Sequence, residues 1–228
     1  MEVGLLLAGC GVYDGAEIHE AVLSMLAIQE IGAEVVCIGV DKPQFHVINH
    51  TNGEVMPESR NMLVEAARIA RRAIVSIDSI QPADIDALVI PGGFGSAKNF
   101  TTWAFDGPNG TILPEVKLLL VNLINVGKPI VALCVSPVVL AKAMEDSGIQ
   151  LNLTIGSSKE TSPYEIPAFE GGLQATGATT EEKSVKEILV DTENKVITAP
   201  CYMMEASILE IRNNIQQAML ALKNLVDA

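Results

Sequence analysis

The chain has 228 residues, 49% of them hydrophobic, and a formal net charge of −13. Such a length and apolar share fit a single globular domain over residues 1–228 with insertions. The negative charge argues against nucleic acid and anionic membrane surfaces as partners, because both call for basic patches.

Val3 to Ala8 is a continuous apolar run, which predicts a buried first strand that breaks into a loop at Gly9-Cys10-Gly11, followed by Tyr13 and Asp14. The start of the chain lacks a basic stretch, its apolar run is too short for a signal peptide, and no segment reaches membrane-spanning length. Cys10, Cys37, Cys134 and Cys201 lie far apart with no C-x-x-C pair, which speaks against a disulfide framework or a metal site. A reducing cytoplasm is therefore the expected location.

A stripe at Ile18, Ala21/Val22 and Met25/Leu26 predicts a helix over Gly15 to Glu30, closed by Gly32, before a second strand over Val35 to Val40. Glu17 and Glu20 fall on one side near the start of that helix. First-turn acids complement the helix dipole without any further role, so spacing alone leaves their function open. His19 reads as a surface or dimer-contact residue. The polar insertion at 41–57 suggests a small turn and β excursion around Asn52-Gly53, and His46 and His50 within it read as structural. A helix from Ser59 to about Arg72 and a short strand at Ile74 to Ile77 follow.

Ala87 to Pro91 predicts a third buried strand that runs into Gly92-Gly93-Phe94-Gly95. Such a loop either connects strand to helix or aims N–H groups at a carbonyl oxygen, forming an oxyanion hole. It lacks the order of a phosphate-binding loop. The insertion at 100–113 reads as an irregular wall or lid, and Pro114 opens a helix through Val126. Ile130 to Leu133 is a short buried strand ending on Cys134, after which Ser136 and Pro137 open another helix. Further on come a strand at Leu151 to Ile155, a polar loop with interrupted structure over 156–182, a hairpin within Glu187 to Pro200, and a closing amphipathic helix over Glu205 to Val226.

Cys134 thus occupies a strand-to-helix turn at the carboxyl end of a strand, where open α/β sheets bind ligands. Free N–H groups of the next helix favour an anion, so a lowered thiol pKa and a reactive thiolate are expected there. A small buried apolar residue would fit the same position.

The alternation of strands and helices predicts a doubly wound, mostly parallel sheet flanked by helices, with a small β-hairpin. The runs Gly9-Cys10-Gly11-Val12-Tyr13-Asp14-Gly15, Glu17-Ile18-His19-Glu20-Ala21-Val22, Val47-Ile48-Asn49-His50, Pro91-Gly92-Gly93-Phe94-Gly95 and Leu153-Thr154-Ile155-Gly156 carry a resemblance along nearly the whole chain. Together they resemble the ThiJ/PfpI superfamily, a branch of the flavodoxin-like, class I glutamine amidotransferase-like fold, and within it the ElbB-type isoprenoid biosynthesis glyoxalases.

The resemblance implies Cys134 as the nucleophile, Glu20 as the acid that hydrogen-bonds the thiol, and the N–H groups of Gly93 and Val135 as oxyanion donors. Glu17, Tyr13 and Asp14 become candidate substrate-binding or supporting groups. Val135, not a histidine, follows the cysteine, and no histidine follows His50, so a downstream Cys-His-Glu triad is impossible. Peptidase and glutaminase chemistry are disfavoured accordingly. The implied activity is a glyoxalase with no cofactor and no metal, converting glyoxal to glycolate through a cysteine hemithioacetal, in a homodimer. The alternative is a redox-responsive regulatory or protein-quality factor linked to isoprenoid biosynthesis; a deglycase-type repair enzyme and a vestigial site are further rivals.

Overall fold

A computed structural model describes residues 1–227. The elements in chain order are β1 (Glu2–Leu7), α1 (Ile18–Glu30), β2 (Glu34–Gly39), β3 (Ile48–Asn49), β4 (Glu54–Val55), α2 (Met62–Ile69), β5 (Ile74–Ser76), β6 (Ala87–Ile90), α3 (Trp103–Asp106), α4 (Pro114–Asn125), β7 (Ile130–Leu133), α5 (Pro137–Met144), β8 (Asn152–Leu153), α6 (Ile166–Ala175), β9 (Thr179–Thr180), β10 (Leu189–Asp191), β11 (Val196–Ala199) and α7 (Ile208–Asp227). Seven of the strands form one sheet in the order β10-β11-β7-β6-β1-β2-β5. All neighbours are parallel except β10, which runs antiparallel to β11 at the edge. This is the flavodoxin-like, class I glutamine amidotransferase-like architecture, and β3 with β4 makes a separate small antiparallel hairpin.

The continuous apolar runs of β6, β7 and β11 follow from this layout. Helices cover both faces of the parallel strands, so no side chain of these three strands reaches solvent. Their carboxyl ends line up at one edge, since β7 pairs with β6 through Ile90↔Ala132 and with β11 through Ala199↔Leu133.

Several boundaries differ from the sequence reading. The first helix begins at Ile18, not Gly15, because Gly9 to Glu17 is wound into a tight loop. In that loop Gly15 N–H donates to Gly11 O at 2.7 Å and Gly11 N–H to Ala16 O at 2.9 Å. Only glycine fits position 15, where a Cβ would lie 2.2 Å from the backbone nitrogen of Cys10. The predicted strand at Leu151 to Ile155 shrinks to β8, which pairs with β9 outside the main sheet. It borders the β10–β11 edge through side chains, with Asn152 N–H on Asp191 Oδ2 at 2.9 Å and Thr154 N–H on Thr198 Oγ1 at 2.9 Å.

The region 156–182, read as a loop, contains α6. Its Pro167 stands in the first turn, where no N–H is needed. Gly172 serves packing, because a Cβ there would meet the Trp103 ring at 2.7 Å. Proline and glycine were thus misleading as breakers in this segment.

Candidate active site

The site is assembled where the turns after β6, β7 and β11 meet the start of α1. Cys134 has φ of 57°, in the left-handed region that L residues avoid. Such a backbone costs on the order of 1–2 kcal/mol and has to be held in place. Cys134 N–H donates to Ala199 O at 2.9 Å, and Ser136 N–H to Leu133 O at 2.9 Å. Ser136 Oγ donates to Pro91 O at 2.6 Å and lies 2.9 Å from Ser96 Oγ, tying the cysteine turn to the glycine turn.

The two glycines have separate tasks. Gly93 adopts φ of +96°, and a Cβ there would lie 2.4 Å from Glu17 N. Gly92 faces the cysteine: its Cβ would sit 2.3 Å from Cys134 Cβ and 2.8 Å from Sγ. Gly92→Ala is therefore expected to displace the thiol and cut turnover by roughly 100-fold or more, since an ångström of misplacement is that costly to a reacting group. Comparison of kcat/KM for this variant and wild type, with circular dichroism as the fold control, checks it.

Glu20 is fully buried. Its Oε2 accepts from Gly92 N–H at 2.8 Å and its Oε1 from Tyr202 N–H at 3.2 Å, while the carboxyl also contacts the Cys134 thiol. Burial, reinforced by the charge of Glu17, pushes its pKa up to about 8 against the pull of those hydrogen bonds. Glu20 is therefore largely protonated at neutral pH, as sharing a proton with the thiol requires. Glu17 is the cap of α1, its Oε2 accepting from Glu20 N–H at 2.7 Å.

The thiol does not behave as the helix N-terminus alone would dictate. Gly93 and Val135 N–H groups point at the Cys134 sulfur and favour the thiolate, but burial and the neighbouring Glu20 charge outweigh them, raising its pKa well above the usual thiol range. The expected lowered pKa is corrected accordingly: desolvation wins over the dipole. Thiol and acid form one unit that holds its protons at neutral pH.

Cys134 lines a small cavity whose walls are mainly apolar and aromatic, among them Phe94, Tyr164, Phe169 and Tyr202. Glu17 reaches this cavity, whereas Tyr13 stands outside it, on a wider groove at the mouth with His19 and Glu205. Asp14 lines neither. Its Oδ2 accepts from Ile48 N–H at 2.7 Å, holding the β3–β4 hairpin to the first loop. His50 Nε2 accepts from Tyr13 N–H at 3.3 Å, and His19 Nδ1 lies 2.9 Å from the Tyr202 hydroxyl. Among the described residues no cluster of three His, Cys, Asp or Glu side chains is arranged to hold a metal ion.

Cys134, Glu20, Gly93, Val135 and Glu17 are thus brought together. Gly92, Tyr164, Phe169, Tyr202 and Cys201 join them without having been singled out. The Gly-Gly pair was a usable signal for Gly92; Tyr164 and Phe169 come from a segment read as loop, and Tyr202 from the stretch between the predicted hairpin and the closing helix, and they carried none.

The DJ-1/PfpI family matches residues 10–206. A human protein, glutamine amidotransferase-like class 1 domain-containing protein 3, mitochondrial, is 42% identical over 93% of this chain and 79% of its own. A crystal structure of an isoprenoid biosynthesis protein with amidotransferase-like domain from Ehrlichia chaffeensis superposes with a TM-score of 0.89 and 34% identity over 99% of both chains. Glyoxalase III from Candida albicans shares the fold, with a TM-score of 0.58 and 14% identity over 100% of this chain and 97% of its own. The human protein and a 42% identical rat ES1 protein homolog are both named mitochondrial, which conflicts with the expected cytoplasmic location. That expectation is withdrawn: widely spaced cysteines fit any reducing compartment and never distinguished one from another. With a family match over most of its length and relatives at this level of identity, the chain belongs to the DJ-1/PfpI family.

Proposed function

We propose that this protein is a glutathione-independent glyoxalase that converts a small 2-oxoaldehyde, glyoxal in the simplest case, to its hydroxy acid, glycolate. The observation that carries this reading is the convergence of a thiol, a buried carboxyl and two N–H donors at one apolar cavity. Among the described residues no lysine or arginine lines that cavity, which suits an uncharged aldehyde.

The active form is the Cys134–Glu20 pair after loss of one proton. The Cys134 sulfur adds to an aldehyde carbon, giving a hemithioacetal whose developing oxyanion receives the N–H groups of Gly93 and Val135. Glu20 removes the proton from that carbon and returns one to the adjacent carbon through an enediol. The product is a thioester of the hydroxy acid. Water hydrolyses it, releasing the acid and restoring the thiol, so the sum is one aldehyde and one water in, one hydroxy acid out.

The test is conversion of glyoxal and methylglyoxal by wild-type protein in D2O without glutathione, followed by NMR. Glycolate and lactate carrying solvent deuterium on the hydroxyl-bearing carbon are expected, because the enediol exchanges its proton through Glu20. Negligible turnover would overturn the reading. Products free of deuterium would instead point to a direct hydride shift.

A further inference from the structure

Among the described residues Glu17 is the one charged side chain that lines the cavity at Cys134, and it also lines the wider groove at the mouth. It is only 8% exposed. Its backbone is fixed, because Glu17 N–H donates to Gly92 O at 2.9 Å and Glu17 O accepts from Ala21 N–H at 3.0 Å. Capping of α1 occupies one carboxylate oxygen, Oε2, which accepts from Glu20 N–H at 2.7 Å. The other, Oε1, accepts from no donor among the described residues, yet it is not one of the unpartnered polar atoms sealed from solvent, which are Asp14 Oδ1, Ser24 Oγ and His46 Nδ1. A nearly buried oxygen without a partner, facing an open space, is placed to accept a hydrogen from whatever occupies that space.

Position decides what that hydrogen belongs to. The charge of Glu17 bears on Glu20, Tyr164 and Tyr202, and Val12, Tyr164 and Tyr202 line both the cavity and the groove as it does. Its carboxylate therefore stands where the two spaces join, and a molecule entering from the groove passes it. Glu20 is placed differently. It has no exposure, lines neither space, and its two oxygens already accept the N–H groups of Gly92 and Tyr202. It can exchange protons with the thiol it touches, but it presents no surface to incoming water.

The glyoxalase reaction ends in hydrolysis of a thioester, and this inference rests on that reading. We propose that Glu17 is the catalytic base of the hydrolytic step, holding one water against the acyl carbon through Oε1. The water oxygen bonds to that carbon, the water proton goes to Glu17, and the charge on the former carbonyl oxygen is met by the N–H groups of Gly93 and Val135. The C–S bond then breaks with its electron pair on sulfur, and the proton passes from Glu17 to the Cys134–Glu20 pair. One thioester and one water are consumed; one hydroxy acid and one thiol are formed. The two acids of α1 thus divide the work, Glu20 serving the sulfur and the carbon beside it, Glu17 the water.

The test compares full-length wild type, Glu17→Gln and Glu17→Asp with methylglyoxal at about pH 9, above the ionisation of the Cys134–Glu20 pair, so that the charge lost from beside Glu20 does not enter the comparison. Glutamine keeps an oxygen for the Glu20 N–H, and circular dichroism checks the fold. In Glu17→Gln kcat is expected to fall roughly 100-fold or more while kcat/KM changes little, because the thioester still forms and its hydrolysis becomes rate-limiting. Product then appears in a burst, and the protein gains about 72 Da; the adduct withstands gel filtration, which strips a reversible hemithioacetal, and hydroxylamine releases it as the hydroxamate of lactate. Aspartate also caps a helix and keeps the carboxylate one methylene further back, so Glu17→Asp is expected to lie between, about 10-fold down in kcat with a smaller share of trapped ester. It decides the matter should the glutamine variant not fold. A purely structural Glu17 would lower kcat and kcat/KM together with the thiol left free, and that result in either variant overturns the assignment, as does wild-type turnover in Glu17→Gln. A wild type without turnover overturns the glyoxalase reading itself, whereas a wild type that turns over beside variants with no trapped ester overturns only the role of Glu17.

Discussion

Cys134→Ser is expected to reduce kcat/KM for glyoxal by roughly 1,000-fold or more while leaving the fold intact. A serine hydroxyl is far less acidic than a thiol, and the site offers no histidine to take its proton: His19 contacts the Tyr202 hydroxyl and His50 the backbone of Tyr13. Glu20, whose own pKa is about 8, is much too weak a base for a hydroxyl. The substitution keeps the side-chain shape and adds no atom to the crowded contact with Gly92, so the thermal midpoint should stay within a few degrees of wild type. Steady-state product formation checks the first part and differential scanning calorimetry the second. Activity that survives with serine would remove Cys134 from the nucleophile's role.

Glu20→Gln is expected to lower turnover by roughly 100- to 10,000-fold, the usual worth of a positioned general acid–base group, and to change two pH profiles. Wild-type kcat/KM should rise with pH through about 8, where the Cys134–Glu20 pair loses its first proton. That rise should be absent from the residual rate of the variant. Stability moves the opposite way. The folded protein holds the Glu20 proton up to about pH 8, whereas the unfolded chain releases it near 4.5, the ordinary value of a glutamate. Between these values the native state binds the extra proton, so unfolding free energy falls as pH rises, by up to about 1.4 kcal/mol per pH unit.

Urea midpoints at pH 6 and pH 8 should therefore fall in wild type, by the equivalent of about 2–3 kcal/mol, and still fall in Cys134→Ser, because burial is the main cause of the Glu20 shift. In Glu20→Gln this contribution to the slope disappears. At pH 6 the glutamine variant should itself be less stable, since its NH2 faces one of the two N–H groups of Gly92 and Tyr202 that the carboxyl oxygens now accept. A buried N–H left unpaired costs about 1–3 kcal/mol. A wild-type stability independent of pH between 6 and 8 would contradict the raised pKa.

Much of the site is legible along the chain because its parts sit at breaks in strong local patterns. A β-branched run ending on Cys134, a buried strand running into Gly92-Gly93, and the helix start carrying Glu17 and Glu20 each mark a carboxyl end of the sheet in one dimension. The inner strands β6, β7 and β11 are legible for the same reason: both of their faces are covered, so they are apolar without interruption. Local signals fail where a residue serves a distant partner. Gly172 reads as a helix breaker yet sits inside α6 to admit Trp103, and Asp14 reads as a site acid yet turns to the β3–β4 hairpin.

The protonation state of Cys134 was likewise beyond the sequence. The turn preceding α5 speaks for a thiolate, and only the folded arrangement, with Glu20 in contact and solvent removed, reverses the balance and keeps Cys134 a thiol. The meeting of the turns after β7 and β11 depends on strands pairing 66 residues apart, Ala132 with Thr198 and Leu133 with Ala199. What the sequence determined by itself was the chemistry available and the sheet edge it would occupy; which groups meet there, and which of them hold their protons, was decided by long-range packing, because desolvation and charge proximity exist only once the chain has closed around them.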